Sequence, residues 1–216
     1  MSKKNPDKVV RFNAAERLGH WCHAVCFVLL LLTGSAFAFT SLNHALGAES
    51  LAACNAIHRF IAYPFTVLSL VVLLLGTPRS FFQWLKDCFS WSREDWQFIK
   101  GFPREFFVLP VKLPEQGRFN AGEKVNSLLT ILGSLVMIIT GWTMARPEAF
   151  SPAWVAWAHP LHSFTALLLG GVLLGHIYLA ILHPRSRESI WGMLRGTVST
   201  HFAASHHGKW YKQISG

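Results

Sequence analysis

Four apolar blocks organise the chain: Trp21–Phe39, Ala52–Leu75, Val125–Trp142 and Leu161–Leu182. None contains an Asp or Glu. Each is close to the roughly 20 residues that an α-helix needs to cross a hydrocarbon core of about 30 Å. A closed helix satisfies its own backbone hydrogen bonds in lipid, so the blocks predict four transmembrane helices. Pro64, in the first half of the second block, is expected to bend its helix slightly rather than break it.

Between and beyond the blocks the pattern turns polar, and the polarity is lopsided. Thr40–Leu51 has no Lys or Arg, and Thr143–Pro160 has only Arg146. The N-terminal tail, by contrast, carries Lys3, Lys4, Lys8, Arg11 and Arg17, and the connection Gly76–Lys124 is studded with Lys and Arg from Arg79 to Lys124. The tail after His183 adds Arg185, Arg187, Arg195, Lys209 and Lys212. Positive residues mark the cytoplasmic side of a membrane protein. The expected architecture is therefore an all-α membrane protein, a four-transmembrane-helix bundle with both termini cytoplasmic. Residues 1–216 form a single membrane-embedded domain with a cytoplasmic loop at 76–124 and a cytoplasmic tail at 183–216. The other two connections face outward, to the periplasm in a bacterial cell. Lys3 and Lys4 ahead of the first block, with Ala36-Phe37-Ala38 near its end, also fit a cleavable signal peptide. The apolar run, however, exceeds the roughly 7–15 residues typical of such peptides.

Composition agrees. The chain is 51 % hydrophobic and 14 % charged, against about 25 % charged in soluble domains, which excludes disorder and an ordinary soluble globule. The net charge of +9 would suit a nucleic-acid binder. Its confinement to the segments between blocks makes it a topology signal instead, and no nucleic-acid partner is expected. No internal repeat or low-complexity tract is evident. Phe81–Phe107 interleaves aromatics with charges, as suits a segment lying among lipid headgroups; a solvated loop with a few buried aromatics is the plainer alternative. The cysteines Cys22, Cys26, Cys54 and Cys88 form no CxxCH, so covalent haem attachment is out. They read as small apolar residues.

Histidines carry the candidate chemistry, because an ionisable residue at membrane depth is a functional-site hypothesis by default. His20 stands at the inner mouth of the first helix and His58 near the outer end of the second. The fourth helix has His162 near its outer end and His176 fourteen residues on. That spacing advances about 21 Å and falls about 40° short of four full turns, placing both on one face. Depth then pairs His58 with His162 and His20 with His176. Two neutral imidazoles from opposing helices can hold an iron porphyrin as axial ligands inside a bundle. Gly34, Gly133, Gly141, Gly170, Gly171 and Gly175 would give it room, although ordinary helix packing in lipid needs such glycines too. A lone intramembrane His often bonds a neighbouring carbonyl; four matched in depth and face point to a cofactor.

Zinc is the competitor. It wants three or four converging ligands, and each level here has two histidines and no carboxylate. The same lack of carboxylates, with no HExxH, speaks against a membrane transporter, a metal-handling protein or a membrane zinc protease. Rivals for the four ligands are His23, one turn inward of His20, and His159, about 100° off the face of His176. His44 lies in the outer loop, and His183, His201, His206 and His207 are expected to be solvated or near headgroups.

The segments Glu16-Arg17-Leu18-Gly19-His20-Trp21, Ile57-His58-Arg59-Phe60, Arg118-Phe119-Asn120-Ala121-Gly122-Glu123-Lys124, His162-Ser163-Phe164 and His176-Ile177-Tyr178 resemble di-haem cytochrome b subunits. With the tail Gly196-Thr197-Val198-Ser199 and His206-His207-Gly208-Lys209-Trp210-Tyr211, they resemble the gamma subunit of respiratory membrane-bound formate dehydrogenase. The likeness spans nearly the whole chain and departs at Gly208, where proline is commoner. It implies two b haems, the outer on His58 and His162 and the inner on His20 and His176. It further implies that electrons come from an iron–sulfur (beta) subunit, fed by a molybdenum or tungsten catalytic (alpha) subunit, and leave to menaquinone or ubiquinone near the cytoplasmic face. The quinone pocket would include Asn120 and Gly122. Asn120 reads equally as the cap of the third helix. Related cytochromes b serve nickel–iron hydrogenases and thiosulfate reductases. The short outer loops leave no room for a formate-oxidising centre, so the chain is expected to be a quinone-reducing subunit of the bacterial inner membrane and not the formate-oxidising one.

Overall fold

The computed structural model describes residues 7–216; Lys3 and Lys4 lie outside the described residues. In chain order the elements are β1 (Lys8–Val10), α1 (Ala14–Ala38), α2 (Thr40–Gly76), α3 (Pro78–Phe89), α4 (Arg93–Phe106) and α5 (Ala121–Ala145). A 3-10 turn, Pro147–Ala149, leads to α6 (Pro152–Ile177), which runs on as a single π turn, Tyr178–Leu182. The chain ends with α7 (Ser189–Arg195), β2 (Thr197–Ser199), α8 (Thr200–His206) and α9 (Gly208–Ser215). Four helices, α1, α2, α5 and α6, are long and apolar enough to cross a membrane. This is the expected four-helix membrane protein.

The helices outrun the apolar blocks at their ends, for physical reasons. At the start of α1, the Glu16 N–H donates to Asn13 Oδ1 at 2.9 Å and the Asn13 N–H to Glu16 Oε2 at 2.8 Å. The start of α5 repeats this box with Asn120 and Glu123, both bonds 2.9 Å. Each box satisfies two orphan donors and lets the helix begin in polar sequence. The connection Thr40–Leu51, expected as a loop, is helical and bends at Gly47, whose φ of 74° and ψ of 168° interrupt α2. The second half of Thr143–Pro160 likewise belongs to α6, so His159 and Pro160 sit within that helix rather than at its start.

Two compact units are present, one of residues 18–77 with 130–172 and the other of the segment up to Arg17 with Pro78–Leu129 and Leu173–Gly216. In the first, small residues set the helix contacts. Gly19 faces Leu73 and Gly34 faces His58 between α1 and α2; Gly133 faces Leu169 and Gly141 faces His162 between α5 and α6. A Cβ on Gly133 would sit 2.7 Å from Leu169, so this approach requires glycine. Trp142 Nε1 donates to Thr66 Oγ1 at 3.4 Å, tying α5 to α2, and Leu31 of α1 lies over Gly170 of α6. The four helices thus contact one another in a ring.

The other unit contains what composition did not reveal. β1 and β2 pair antiparallel, Val9 opposite Val198, and with Phe202, Ala203, Trp210 and Tyr211 they form a small apolar core. Three-residue strands are too short for alternation to register. The aromatic-and-charged stretch folds as α3 and α4, the latter started by a Ser92–Asp95 capping box. Two tail histidines expected in solvent are fully buried. His183 Nε2 meets the Glu105 carbonyl at 2.8 Å, and His207 Nδ1 donates to the Gly117 carbonyl at 3.0 Å.

A repeat also emerges. Arg11-Phe12-Asn13-Ala14-Ala15-Glu16-Arg17 recurs 107 residues later as Arg118-Phe119-Asn120-Ala121-Gly122-Glu123-Lys124. The copies exchange partners: Arg11 pairs with Glu123 at 3.1 Å and Arg118 with Glu16 at 2.7 Å, while Phe12 and Phe119 meet at 6.2 Å. Reciprocal pairing of this kind is what a two-fold interface produces. The expectation of no repeat is corrected.

Candidate functional site

Helix α6 presents Ala158, His162, Thr165 and Leu169 along one stripe, spaced four, three and four residues, and all but the half-buried His162 are buried. That stripe aims the His162 ring into the bundle, where it meets His58 of α2. The two ring centroids lie 6.3 Å apart with their planes at 64°. Each ring is held from behind in the same way. His58 Nδ1 lies 2.9 Å from Thr33 Oγ1, and His162 Nδ1 lies 2.8 Å from Thr140 Oγ1. Both hydroxyls give their own proton to the carbonyl one turn back, Thr33 to Leu29 at 2.8 Å and Thr140 to Val136 at 2.7 Å. A hydroxyl so committed can only accept, so each Nδ1 carries the hydrogen and each Nε2 keeps its lone pair.

The next residue in both cases is glycine. A Cβ on Gly34 would come 3.2 Å from His58 Cε1, and one on Gly141 3.4 Å from His162 Cε1. A Cβ would crowd the His58 ring and touch the His162 ring, so the glycines let each imidazole lie close against the neighbouring helix. Two imidazole nitrogens each about 2 Å from a shared metal ion would put the ring centroids about 6 Å apart, so His58 and His162 could together hold an iron porphyrin, which would supply one-electron chemistry. Among the described residues, no three His, Cys, Asp or Glu side chains group as a metal cage requires.

The rival histidines have other surroundings. His159 is exposed, one position off the buried stripe. The His23 ring packs on Phe65 at 5.1 Å and Phe27 at 6.1 Å. His20 meets Trp21 edge-on at 5.1 Å. His176, near the end of α6, lies within electrostatic reach of the Glu123 carboxylate in its own unit. Asn120 caps α5 as described, and a Cβ on Gly122 would lie 3.2 Å from Asn120 Oδ1 and 3.4 Å from Phe102. Sequence reasoning missed Thr33 and Thr140, although a Thr-Gly pair in two apolar blocks, at the repeat's own offset, was there to find.

A sequence profile of the prokaryotic cytochrome b561 family matches residues 11–196. The chain belongs to that family. This cytochrome is 30 % identical to the formate dehydrogenase cytochrome b556(fdo) subunit of Escherichia coli K12 over 218 residues, 98 % of this chain and 95 % of that one. It is 28 % identical to the formate dehydrogenase cytochrome b556 subunit of Haemophilus influenzae, covering 97 % and 84 %. To the nitrate-inducible cytochrome b556(Fdn) subunit of Escherichia coli K12 it is 26 % identical, covering 95 % and 91 %. Membership implies haem b, and the role is that of an electron-transferring membrane subunit.

Proposed function

We propose that the chain is the membrane subunit of a formate dehydrogenase-type complex in a bacterial inner membrane, acting over residues 1–216 as one di-haem domain. The observation that carries this reading is the His58–His162 pair, each ring backed by a threonine and a glycine. The Lys and Arg asymmetry supports cytoplasmic termini, which puts that pair near the outer face. His20 and His176 are the inner ligands, supported by the four-turn offset between His162 and His176 on α6. When bound, the two haems supply one-electron carriage from an iron–sulfur subunit outside, itself served by a molybdenum or tungsten subunit, to menaquinone or ubiquinone inside. The residues that would hold the quinone are Asn120 and Gly122. Asn120 Oδ1 is committed to the Glu123 N–H, which leaves the side-chain amide hydrogens to donate to a quinone carbonyl. Gly122 keeps the Phe98 and Phe102 rings of α4 close to that amide. The apolar blocks hold no carboxylate, so protons for the reduced quinone come from the cytoplasm.

Purification of the intact complex tests this. Two reducible b haems per chain and a co-purifying iron–sulfur subunit are expected; absence of a b-type absorption band overturns the reading. Within it, Asn120→Ala should slow quinone reduction several-fold, the loss of one hydrogen bond of about 0.5–1.5 kcal/mol, while both haems stay bound and reducible by the donor. The same change removes a helix cap worth about 1 kcal/mol. A variant with a lower melting temperature but unaltered quinone kinetics would leave Asn120 as a cap and nothing more.

A further inference from the structure

The threonines behind His58 and His162 occupy equivalent places in the internal repeat. Thr33 and Thr140 stand at the same offset as the two Asn-Ala boxes, each followed by the glycine on which its histidine rests. Both make the same pair of bonds, accepting from a histidine Nδ1 and donating to the carbonyl four residues back. Hydroxyls inside membrane helices commonly make the second bond. The first, also made by Ser186 and Ser205 in the tail, joins each threonine to a histidine of the facing pair.

We propose that Thr33 and Thr140 are the positioning residues of the outer haem, fixing the tautomer of both axial histidines and setting how strongly they donate to the iron. This rests on His58 and His162 being its ligands. The hydrogen bond from Nδ1 locks each ring about its Cβ–Cγ bond and leaves Nε2 as the one ligating atom. It also raises the basicity of the ring, as second-shell acceptors do for metal-bound histidines. A hydroxyl is a milder acceptor than a carboxylate, so both imidazoles stay neutral and the site is not pushed towards the ferric state as far as a carboxylate would push it.

Thr140→Val keeps the branched shape and removes the acceptor; Thr140→Ser keeps the hydroxyl and removes the methyl group. In the purified complex, the valine variant should show an upward shift in the midpoint potential of the outer haem and an altered low-temperature electron paramagnetic resonance signal, or loss of that haem. Thr33→Val should shift the potential the same way. The serine variant should match the wild type in potential, spectrum and haem content. A valine variant indistinguishable from wild type overturns the proposal. So does a serine variant that behaves like valine, which would make the methyl packing and not the hydroxyl the cause. Retention of the outer haem in His58→Ala and His162→Ala would instead remove the ligand assignment beneath it, and that outcome is separately visible.

Discussion

Replacing His58 or His162 with alanine should remove one b haem from the complex and leave the other in place. If His58 and His162 hold one haem as proposed, losing either would leave it with a single protein ligand. His176, proposed as a ligand of the second haem, is fourteen residues from His162 on α6, about 21 Å along the helix and beyond the range at which neighbouring sites couple strongly. Haem extracted from the purified variant should fall to half the wild-type content, with one component lost from the redox titration. His159→Ala and His23→Ala should change neither, because the first ring is exposed and the second is stacked among phenylalanines. Loss of both haems in a folded His58→Ala protein would show that the sites are not independent. Retention of both would place the ligand elsewhere.

The spans and the pairing of His58 with His162 were legible in the sequence because each rests on a long, regular signal. An apolar run of about 20 residues has few readings, and helical periodicity converts spacing into face and depth. The ends of the helices were less legible. Their first turns carry Asn, Glu and Arg or Lys, as from Asn13 and Asn120, so hydropathy alone begins too late while the capping boxes mark the true starts. Asn120 reads as a cap from its Asn-Ala-Gly-Glu context, and the matching Asn-Ala-Ala-Glu at Asn13 marks the start of the first helix in the same way.

The tail was misread for a different reason. His183 and His207 sit among basic residues, and composition there says solvent. Burial draws instead on distant carbonyls, Glu105 for His183 and Gly117 for His207, together with the nearby rings of Tyr178 and Trp210. Strand pairing between Lys8–Val10 and Thr197–Ser199 has the same character, because each strand makes sense only beside the other. The internal repeat needs no structure to be seen, yet it amounts to five identical residues in a stretch of seven and a Thr-Gly pair. What gives those few residues weight is the exchange of Arg11 and Arg118 between the copies and the shared support of two histidines.

Acidification should destabilise the protein through His207. The ring is 1 % exposed, gives its Nδ1 hydrogen to the Gly117 carbonyl and stands edge-on to Trp210. Burial, reinforced by the nearby Arg11 and opposed by Glu123, lowers its pKa from 6.5 to about 4. In the folded state His207 therefore stays neutral down to about pH 4, whereas in the unfolded chain it takes up a proton near pH 6.5. Between those values the unfolded state binds more protons, so stability rises with pH across the window. The contribution is complete above pH 6.5, declines as the pH falls and is gone at about pH 4. The gap corresponds to about 3 kcal/mol. Thermal unfolding of the purified protein at pH 7.5 and at pH 4.5 measures it. His207→Gln keeps a donor for the Gly117 carbonyl and has nothing to titrate, so its melting temperature should fall less between the two pH values than that of the wild type. Carboxylates such as Asp95, ion-paired to Lys124 at 2.9 Å, titrate in both proteins and cancel in the comparison. Equal falls in the two proteins would show that His207 is not the acid-sensitive group.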